Sequence, residues 1–112
     1  MTTTPFRIEL VRDAEKDLKR LRPWTAQVTR QLLRLEQEPT AGHPRSGILH
    51  GTRSLEFNLK GSGAYRAVYV ILDENRVCVV LIVGPHENIS ARAERRYRAW
   101  LKRVEIESLR QR

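Results

Sequence analysis

With 112 residues, of which 40% are hydrophobic and 30% are charged, the chain has the length and composition of a globular domain. A domain of this size buries roughly two-thirds of its unfolded surface, so we expect residues 1–112 to fold as one unit without a metal or disulfide staple. Its 21 lysines and arginines exceed its 13 acids and give a formal net charge of +8, which favours a polyanion or an acidic protein as partner.

Two classes of protein are disfavoured by the sequence. The longest apolar run lies within residues 65–84 and is too short to cross a bilayer, and Pro5 and polar threonines stand where a secretory signal needs an apolar core. A cytoplasmic protein is therefore predicted. Cys78 is the one cysteine, so an intramolecular disulfide is excluded, and its Val-rich surroundings favour a small core residue.

The first third of the chain predicts a strand followed by a helical hairpin. Residues 6–11 alternate between apolar and polar types and contain no breaker, which is typical of a strand. Asp13 is the expected N-cap of a first helix that ends near Arg22. Pro23 suits the first position of a second helix, which ends near Glu38. The apolar face of the first helix consists of Ala14, Leu18 and Leu21.

Residues 40–51 predict a loop, because glycine and proline recur in this segment. His43 and His50 lie in this loop. Neither histidine has a cysteine or carboxylate close to it in sequence, so a metal site there is disfavoured. No metal or other cofactor is predicted elsewhere in the chain.

The middle of the chain predicts three antiparallel strands. Residues 55–60 alternate and form the first, a glycine-containing turn follows, and residues 65–73 and 76–84 form a hairpin of β-branched and aromatic residues. In the second of these strands Arg66 falls on the same face as Val68, Val70 and Leu72. A buried arginine in this position needs a partner, and Glu56 is the acid we consider for that role.

A long helix is predicted to begin near Ile89 or Ser90. Core packing is the first interpretation of its two large aromatic residues, Tyr97 and Trp100, and stacking on a nucleic-acid base is the alternative. The remaining faces of this helix are strongly basic. Its apolar stripe consists of Ile89, Ala93, Tyr97, Trp100, Leu101 and Val104.

Together these elements predict an α+β domain with an antiparallel sheet of about four strands, an N-terminal helical hairpin and a C-terminal helix. The helices are expected to cover one face of the sheet. Arg66 is expected to act on the other face.

This order of elements, and two segments in particular, resemble the RelE/ParE superfamily of bacterial toxins from type II toxin–antitoxin pairs. The segments are residues 49–71, LHGTRSLEFNLKGSGAYRAVYVI, and residues 79–97, VVLIVGPHENISARAERRY. The likeness extends from Phe6 to about Trp100 and predicts a RelE-like fold for the single domain. The residues that match the family pattern are Gly51, Tyr65, Arg66, Tyr69, Gly84, Pro85 and His86.

The resemblance implies one of two activities. RelE-like members cleave messenger RNA in the ribosomal A site without a metal, whereas ParE-like members poison DNA gyrase. We favour an mRNA endoribonuclease, a hydrolase that inhibits translation, with a cognate antitoxin and mRNA as partners; dependence on the ribosome stays open. The alternatives are a gyrase inhibitor and a basic binding module without catalytic activity.

The resemblance also implies which residues act. Arg66 matches the arginine that contacts the phosphate in nuclease members, and His86 falls where they carry Arg or His, so both are predicted to be catalytic. Further RNA-binding cations are predicted at Lys60, Arg53 and Arg92.

Three positions depart from the nuclease pattern. Ser90 replaces a common aromatic residue, and Glu56 and Asn58 occupy strand positions that are often Lys or Arg. Tyr97 replaces the missing aromatic residue only if its helix packs in an unusual way.

Overall fold

A computed structural model describes residues 4–110 of the chain. Within this range, two short 3-10 helices, Arg34–Glu36 and Gly47–Leu49, accompany five strands and three α-helices. The strands and helices are β1 Arg7–Leu10, α1 Arg12–Arg20, α2 Thr25–Leu33, β2 His43–Pro44, β3 Arg53–Leu59, β4 Gly63–Leu72, β5 Val77–Pro85 and α3 Ile89–Arg110.

The N-terminal strand and helical hairpin form as predicted, but their boundaries differ. The amide of Val11 still donates to the Val80 carbonyl, so pairing with the sheet extends to the residue before α1, and Val11 takes the N-cap position predicted for Asp13. The Trp24 amide donates to the Leu21 carbonyl in a turn that separates the helices. The second helix therefore begins at Thr25, not at Pro23.

The sheet is mixed and has five strands, so the prediction of about four antiparallel strands was wrong. Its spatial order is β1-β5-β4-β3-β2. β1 runs parallel to β5, with Arg7 opposite Val77, because the intervening helices and strands supply the long crossover that a parallel pair requires. β2 is a two-residue edge strand inside the predicted loop, and two residues are too few to show a period.

The three long strands form two consecutive hairpins. β3 pairs with β4 in a register that places Glu56 opposite Arg66, and β4 pairs with β5 with Arg66 opposite Gly84. An irregularity between Val68 and Tyr69 shifts the second register. Since alternate residues of a strand point to the same face, Arg66 lies on the same face as Val68, Val70 and Leu72, as predicted.

Helices cover both faces of the sheet, contrary to the expectation that they share one. The cluster of buried residues around α1 and α2 includes Tyr65, Ala67 and Tyr69 of β4, whereas the cluster around α3 includes the intervening Val68 and Val70. β5 is buried from Val77 to Gly84, so both of its faces need a covering layer. Cys78 is fully buried within the α1–α2 layer, in agreement with its predicted core role.

Two helices close the outer edge of β5 beyond the end of β1. There the Val83 amide donates to Asp17 Oδ2 of α1 at 3.0 Å, and the Leu81 carbonyl accepts from Arg96 Nη1 of α3 at 3.0 Å. Arg96 Nη1 also lies 2.5 Å from Asp17 Oδ2. This buried ion pair therefore connects α1, β5 and α3. None of the helices in residues 4–110 is long and apolar enough to span a membrane.

Candidate functional site

The candidate site forms where β3, β4 and the end of β5 meet. Arg66 lies in the middle of the three strands, opposite Glu56 on one side and Gly84 on the other. Only 10% of the Arg66 side chain is exposed, so the guanidinium is held in place by its surroundings and needs charge compensation.

His86 is positioned by a continuation of the β4–β5 ladder. Although β5 ends at Pro85, the His86 amide still donates to the Ala64 carbonyl at 3.0 Å. This bond turns the imidazole toward the neighbouring strands, where Nε2 lies 2.7 Å from Arg66 Nη2. About half of the His86 side chain remains exposed.

Glu56 completes a compact group of three ionisable side chains, which we call the Glu56–Arg66–His86 cluster. Arg66 Nη2 donates to Glu56 Oε1 at 2.6 Å, and His86 Nε2 lies 3.6 Å from the same oxygen. One Nη2 hydrogen is directed to the carboxylate and the other to the imidazole. His86 Nε2 is therefore an acceptor in this arrangement, which corresponds to a neutral ring with its proton on Nδ1.

The electrostatics of the cluster keep the carboxyl group ionised. The hydrogen bond from Arg66 lowers the pKa of Glu56 most, desolvation opposes it to a smaller extent, and Coulombic attraction to Arg66 adds to the lowering. Near neutral pH Glu56 can accept a proton but has none to donate. His86 is then the group in the cluster that can carry a proton to a reacting atom.

The cluster also retains capacity for an anion. Arg66 Nε is buried and has no hydrogen-bond partner within residues 4–110. Only Nη2 is engaged by the neighbouring side chains, and the guanidinium presents several donors in a fixed fork. With Glu56 and His86 each about half exposed, a charged group from solvent can reach the cluster from the side of these two residues.

Two of the other predicted RNA-binding cations lie outside the cluster. Arg53 donates from Nε to the Gly42 carbonyl at 2.8 Å and from Nη2 to the Thr40 carbonyl at 3.1 Å, so it stabilises the loop before β2. Lys60 is exposed after the end of β3, where it lines a groove shared with Arg30 of α2. The structure therefore does not bring these two residues together with Arg66 and His86.

Arg92 lies closer to the cluster. A Cβ atom on Gly84 would be 4.0 Å from Arg92 Nη1, and Gly84 is the residue opposite Arg66 in the sheet. Arg92 Nη2 also lies 3.6 Å from Asp17 Oδ1, at the edge of the buried ion pair. Arg92 thus stands between the cluster and the α1–α3 side of the molecule.

Neither candidate for the aromatic position joins the cluster. Ser90 accepts a hydrogen bond from Arg45 Nη2 at 3.3 Å. Tyr97 is buried, and its hydroxyl donates to the His50 carbonyl at 3.0 Å. The tyrosine therefore belongs to the core, which agrees with the first interpretation of its place in the helical stripe.

Two acids pair with buried or partly buried arginines in the structure, and one of them was identified from the sequence. The pairing of Glu56 with Arg66, which the sequence suggested, is confirmed, and it agrees with the register of a hairpin around Gly61. Asp17 was not singled out, although an acid at helical spacing from Ala14 and Leu21 falls on the buried face. The signal that could have identified Asp17 was an acid on the face of the helix that packing covers.

Comparisons with known proteins agree on one family. The family model described as the ParE toxin of the type II toxin–antitoxin system parDE matches residues 8–90. The toxin–antitoxin complex RelBE2 from Mycobacterium tuberculosis matches at 32% identity and a TM-score of 0.65, over 73% of this chain and 99% of that one. No curated protein sequence matches.

Two structures from E. coli are also similar. A double mutant of the toxin RelE in the free state matches at 25% identity and a TM-score of 0.62, over 89% of this chain and 98% of that one. The intact RelBE toxin–antitoxin complex matches at 26% identity and a TM-score of 0.58, over 74% of this chain and 99% of that one. Because the family model spans well over half of the chain, this protein belongs to the RelE/ParE superfamily of type II toxin–antitoxin toxins.

Proposed function

We propose that the protein is a metal-free endoribonuclease that cleaves messenger RNA and thereby inhibits translation. The observation that supports this function best is the Glu56–Arg66–His86 cluster, which combines a proton acceptor, a phosphate-binding cation and a proton carrier within 3.6 Å of one another. Cleavage of RNA through its own 2′-hydroxyl needs these three functions and no metal.

The proposed reaction assigns one role to each side chain. Ionised Glu56 takes the proton from the 2′-hydroxyl, and the 2′-oxygen attacks phosphorus. Arg66 stabilises the negative charge that develops on the phosphate oxygens. His86 acts as the general acid and donates a proton to the departing 5′-oxygen. The products are a 2′,3′-cyclic phosphate and a free 5′-hydroxyl.

A second candidate function is inhibition of DNA gyrase. It is favoured by the match to the ParE family model, since the ParE-like branch is the one that acts on gyrase. In that case the cluster would have a structural role, with Arg66 compensated by Glu56. The third alternative, a basic binding module without activity, retains the fold but predicts no effect on growth.

Expression in a bacterial host tests these alternatives. We expect growth arrest on induction, with amino-acid incorporation falling before any change in plasmid supercoiling, because a nuclease stops protein synthesis first. Glu56→Gln should abolish the arrest at equal soluble expression. A suitable control is Glu74→Gln, which removes the same charge from the exposed turn between β4 and β5.

Two outcomes would contradict the proposal. Early relaxation of plasmids with intact messages would favour the gyrase branch, particularly if Glu56→Gln remained toxic. Normal growth at high soluble expression of the unchanged chain would favour the inert binding module.

We propose that the chain acts in the cytoplasm and is neutralised by a cognate antitoxin. The RelBE2 and RelBE structures are toxin–antitoxin complexes, which supports a protein partner of this kind. An acidic segment across the Arg66-bearing side of the sheet or against α3 would complement the net charge of +8. Co-expression of the antitoxin should restore growth.

A further inference from the structure

An arginine-lined cleft lies between the beginning of α1 and the middle of α3, outside the Glu56–Arg66–His86 cluster. Its volume is about 400 Å³, within the range of ~300–1,000 Å³ typical of small-molecule sites. Five arginines and one acid, Asp13, contribute to its walls. The arginines are Arg12, Arg92, Arg95, Arg96 and Arg103.

The arrangement along α3 follows from helical spacing. Arg92, Arg96, Ala99 and Arg103 are separated by four, three and four residues, so they lie on one side of the helix, which faces α1. The small side chain of Ala99 leaves space between the cations. Trp100 forms part of the wall and is only partly buried, with its ring 6.3 Å from that of Tyr97.

The charges of the cleft are only partly compensated. Arg96 and Arg92 share Asp17 as a partner. Arg12, Arg95 and Arg103 form no ion pair with any residue between Thr4 and Arg110. Like charges brought together in this way repel one another, and an anion in the cleft would remove that repulsion.

We infer that this cleft binds a nucleotide unit of single-stranded RNA, with arginines on phosphate and Trp100 available to stack on a base. An aromatic wall beside guanidinium groups is the combination used for single-stranded nucleic acids, whereas an acidic peptide has no need of the aromatic face. Arg92 connects the cleft to Gly84, the neighbour of Arg66 in the sheet. One strand of RNA can therefore occupy the cleft and the cluster together.

The identification of the ligand as RNA rests on the proposed endoribonuclease function. The expectation that the cleft binds an anion rests only on its arginines and does not depend on that function. The role of the cleft would be to hold the substrate beside the scissile phosphate. Loss of the cleft should then raise KM for an RNA substrate and change kcat by no more than about threefold, because binding that is equal in ground and transition states affects KM alone.

Binding of a labelled RNA decamer with 2′-O-methyl riboses, which cannot be cleaved, tests the inference by fluorescence anisotropy. The variant R95A/R103A should weaken binding about tenfold or more. The slope of log affinity against log salt should fall by about 1.4, at ~0.7 for each phosphate that the protein no longer neutralises. R22A/R34A removes two exposed charges from the N-terminal helical hairpin, outside the cleft, and should change the affinity by less than about threefold.

A second measurement uses tryptophan fluorescence. The chain has two tryptophans, so Trp24→Phe leaves Trp100 as the single reporter, and the decamer should quench it. Equal losses in the two double variants, or an unchanged Trp100 signal at saturating decamer, would overturn the inference. So would a glutamate peptide of equal charge that binds more tightly than the decamer and loses affinity in R95A/R103A.

The results separate this inference from the proposed function. Cleavage by the unchanged protein together with unaltered binding by R95A/R103A would remove the cleft as an RNA site and leave the nuclease intact. Cleft-dependent binding of the decamer, with no cleavage of unmodified RNA either free or on translating ribosomes, would leave the cleft as a nucleic-acid site and remove the nuclease.

Discussion

Glu56 is the residue whose role depends most directly on its contacts. Its pKa is lowered mainly by the hydrogen bond from Arg66, so the carboxylate stays ionised at pH values where an ordinary glutamate begins to take up a proton. We expect Glu56→Gln to reduce the cleavage rate ~10²–10⁴-fold, since it removes a general base but keeps an acceptor for Arg66. Single-turnover cleavage across pH 4–9 measures this.

The sign of the pH effect follows from the direction of that shift. A lowered pKa stabilises the folded state at pH values above the ordinary pKa of a glutamate, and this contribution disappears as the pH falls through the lowered value. The acid limb of the rate profile should lie in the same low range. Full activity of Glu56→Gln would show that the carboxylate only positions Arg66.

His86 and Arg66 should affect the pH–rate profile differently. His86→Ala removes the proposed general acid and should eliminate the limb on which the rate falls with rising pH, with a loss of ~10²–10⁴-fold. Arg66→Ala should lower the rate on the order of 10²-fold or more. Arg66→Ala should also raise the pKa of Glu56, because the hydrogen bond from Arg66 is the largest cause that lowers it. The acid limb of the rate profile should then move to higher pH.

Arg66→Lys tests whether the planar guanidinium of Arg66 is needed in addition to its positive charge. A lysine keeps the charge but lacks the planar fork, so rescue should be partial. Both Arg66 variants must bind the antitoxin with unchanged stoichiometry, because Arg66 is 10% exposed and its loss leaves Glu56 without its partner. An unaltered pH–rate profile in His86→Ala would show that the histidine has a structural role and does not transfer a proton.

Among the elements, the contact that connects α1, β5 and α3 should matter most for stability. Asp17→Asn keeps the size of the side chain but leaves the buried guanidinium of Arg96 without a counter-charge, which costs on the order of 3 kcal/mol. Urea unfolding measures the loss. Glu15→Gln, on the exposed side of the same helix and outside the arginine-lined cleft, is the control and should change the free energy of unfolding by less than about 1 kcal/mol.

A double-variant cycle with Arg96→Met separates the pair from its backbone contacts. If Asp17 and Arg96 act as a unit, the loss in the double variant should be smaller than the sum of the two single losses. Additive losses would mean that Asp17 acts through the Val83 amide alone.

The elements that the sequence predicted are those with a long periodic signal. β3 was recognised by alternation, β4 and β5 by runs of β-branched and aromatic residues, and α3 by a helical stripe, each over seven residues or more. β2 has two residues and shows no period. The parallel β1–β5 pair and the position of α3 depend on contacts between distant parts of the chain, which local patterns do not contain.

The sequence identified residues of the candidate site but not the contacts that arrange them. Arg66 and His86 were identified by resemblance, and the structure places them 2.7 Å apart. The role of Glu56 depends on hairpin register and on the direction of a hydrogen bond. The sequence showed that α3 is rich in arginine. It did not show the arginine-lined cleft, because the cleft depends on where α3 crosses α1.

For the whole molecule, the net charge of +8 should control the rate at which an acidic antitoxin associates. Steering acts over roughly a Debye length, which is ~10 Å at 0.1 M salt and ~3 Å at 1 M, so the association rate should fall steeply over this range while the dissociation rate changes little. Stopped-flow mixing at several salt concentrations measures both rates. An association rate indifferent to salt would mean that apolar contacts control the encounter.

The parallel pairing of β1 with β5 has a consequence for the timing of synthesis. Arg7 meets Val77, about 70 residues later in the chain, and a ribosome that adds ~5–20 residues per second needs several seconds to make that stretch. Contacts between residues that are so far apart in the sequence also form slowly, because a long loop must be closed first. His86 lies beyond the same strand, so we expect a nascent toxin to lack its site for most of its own translation. A newly made antitoxin then has several seconds to meet a chain that is still harmless.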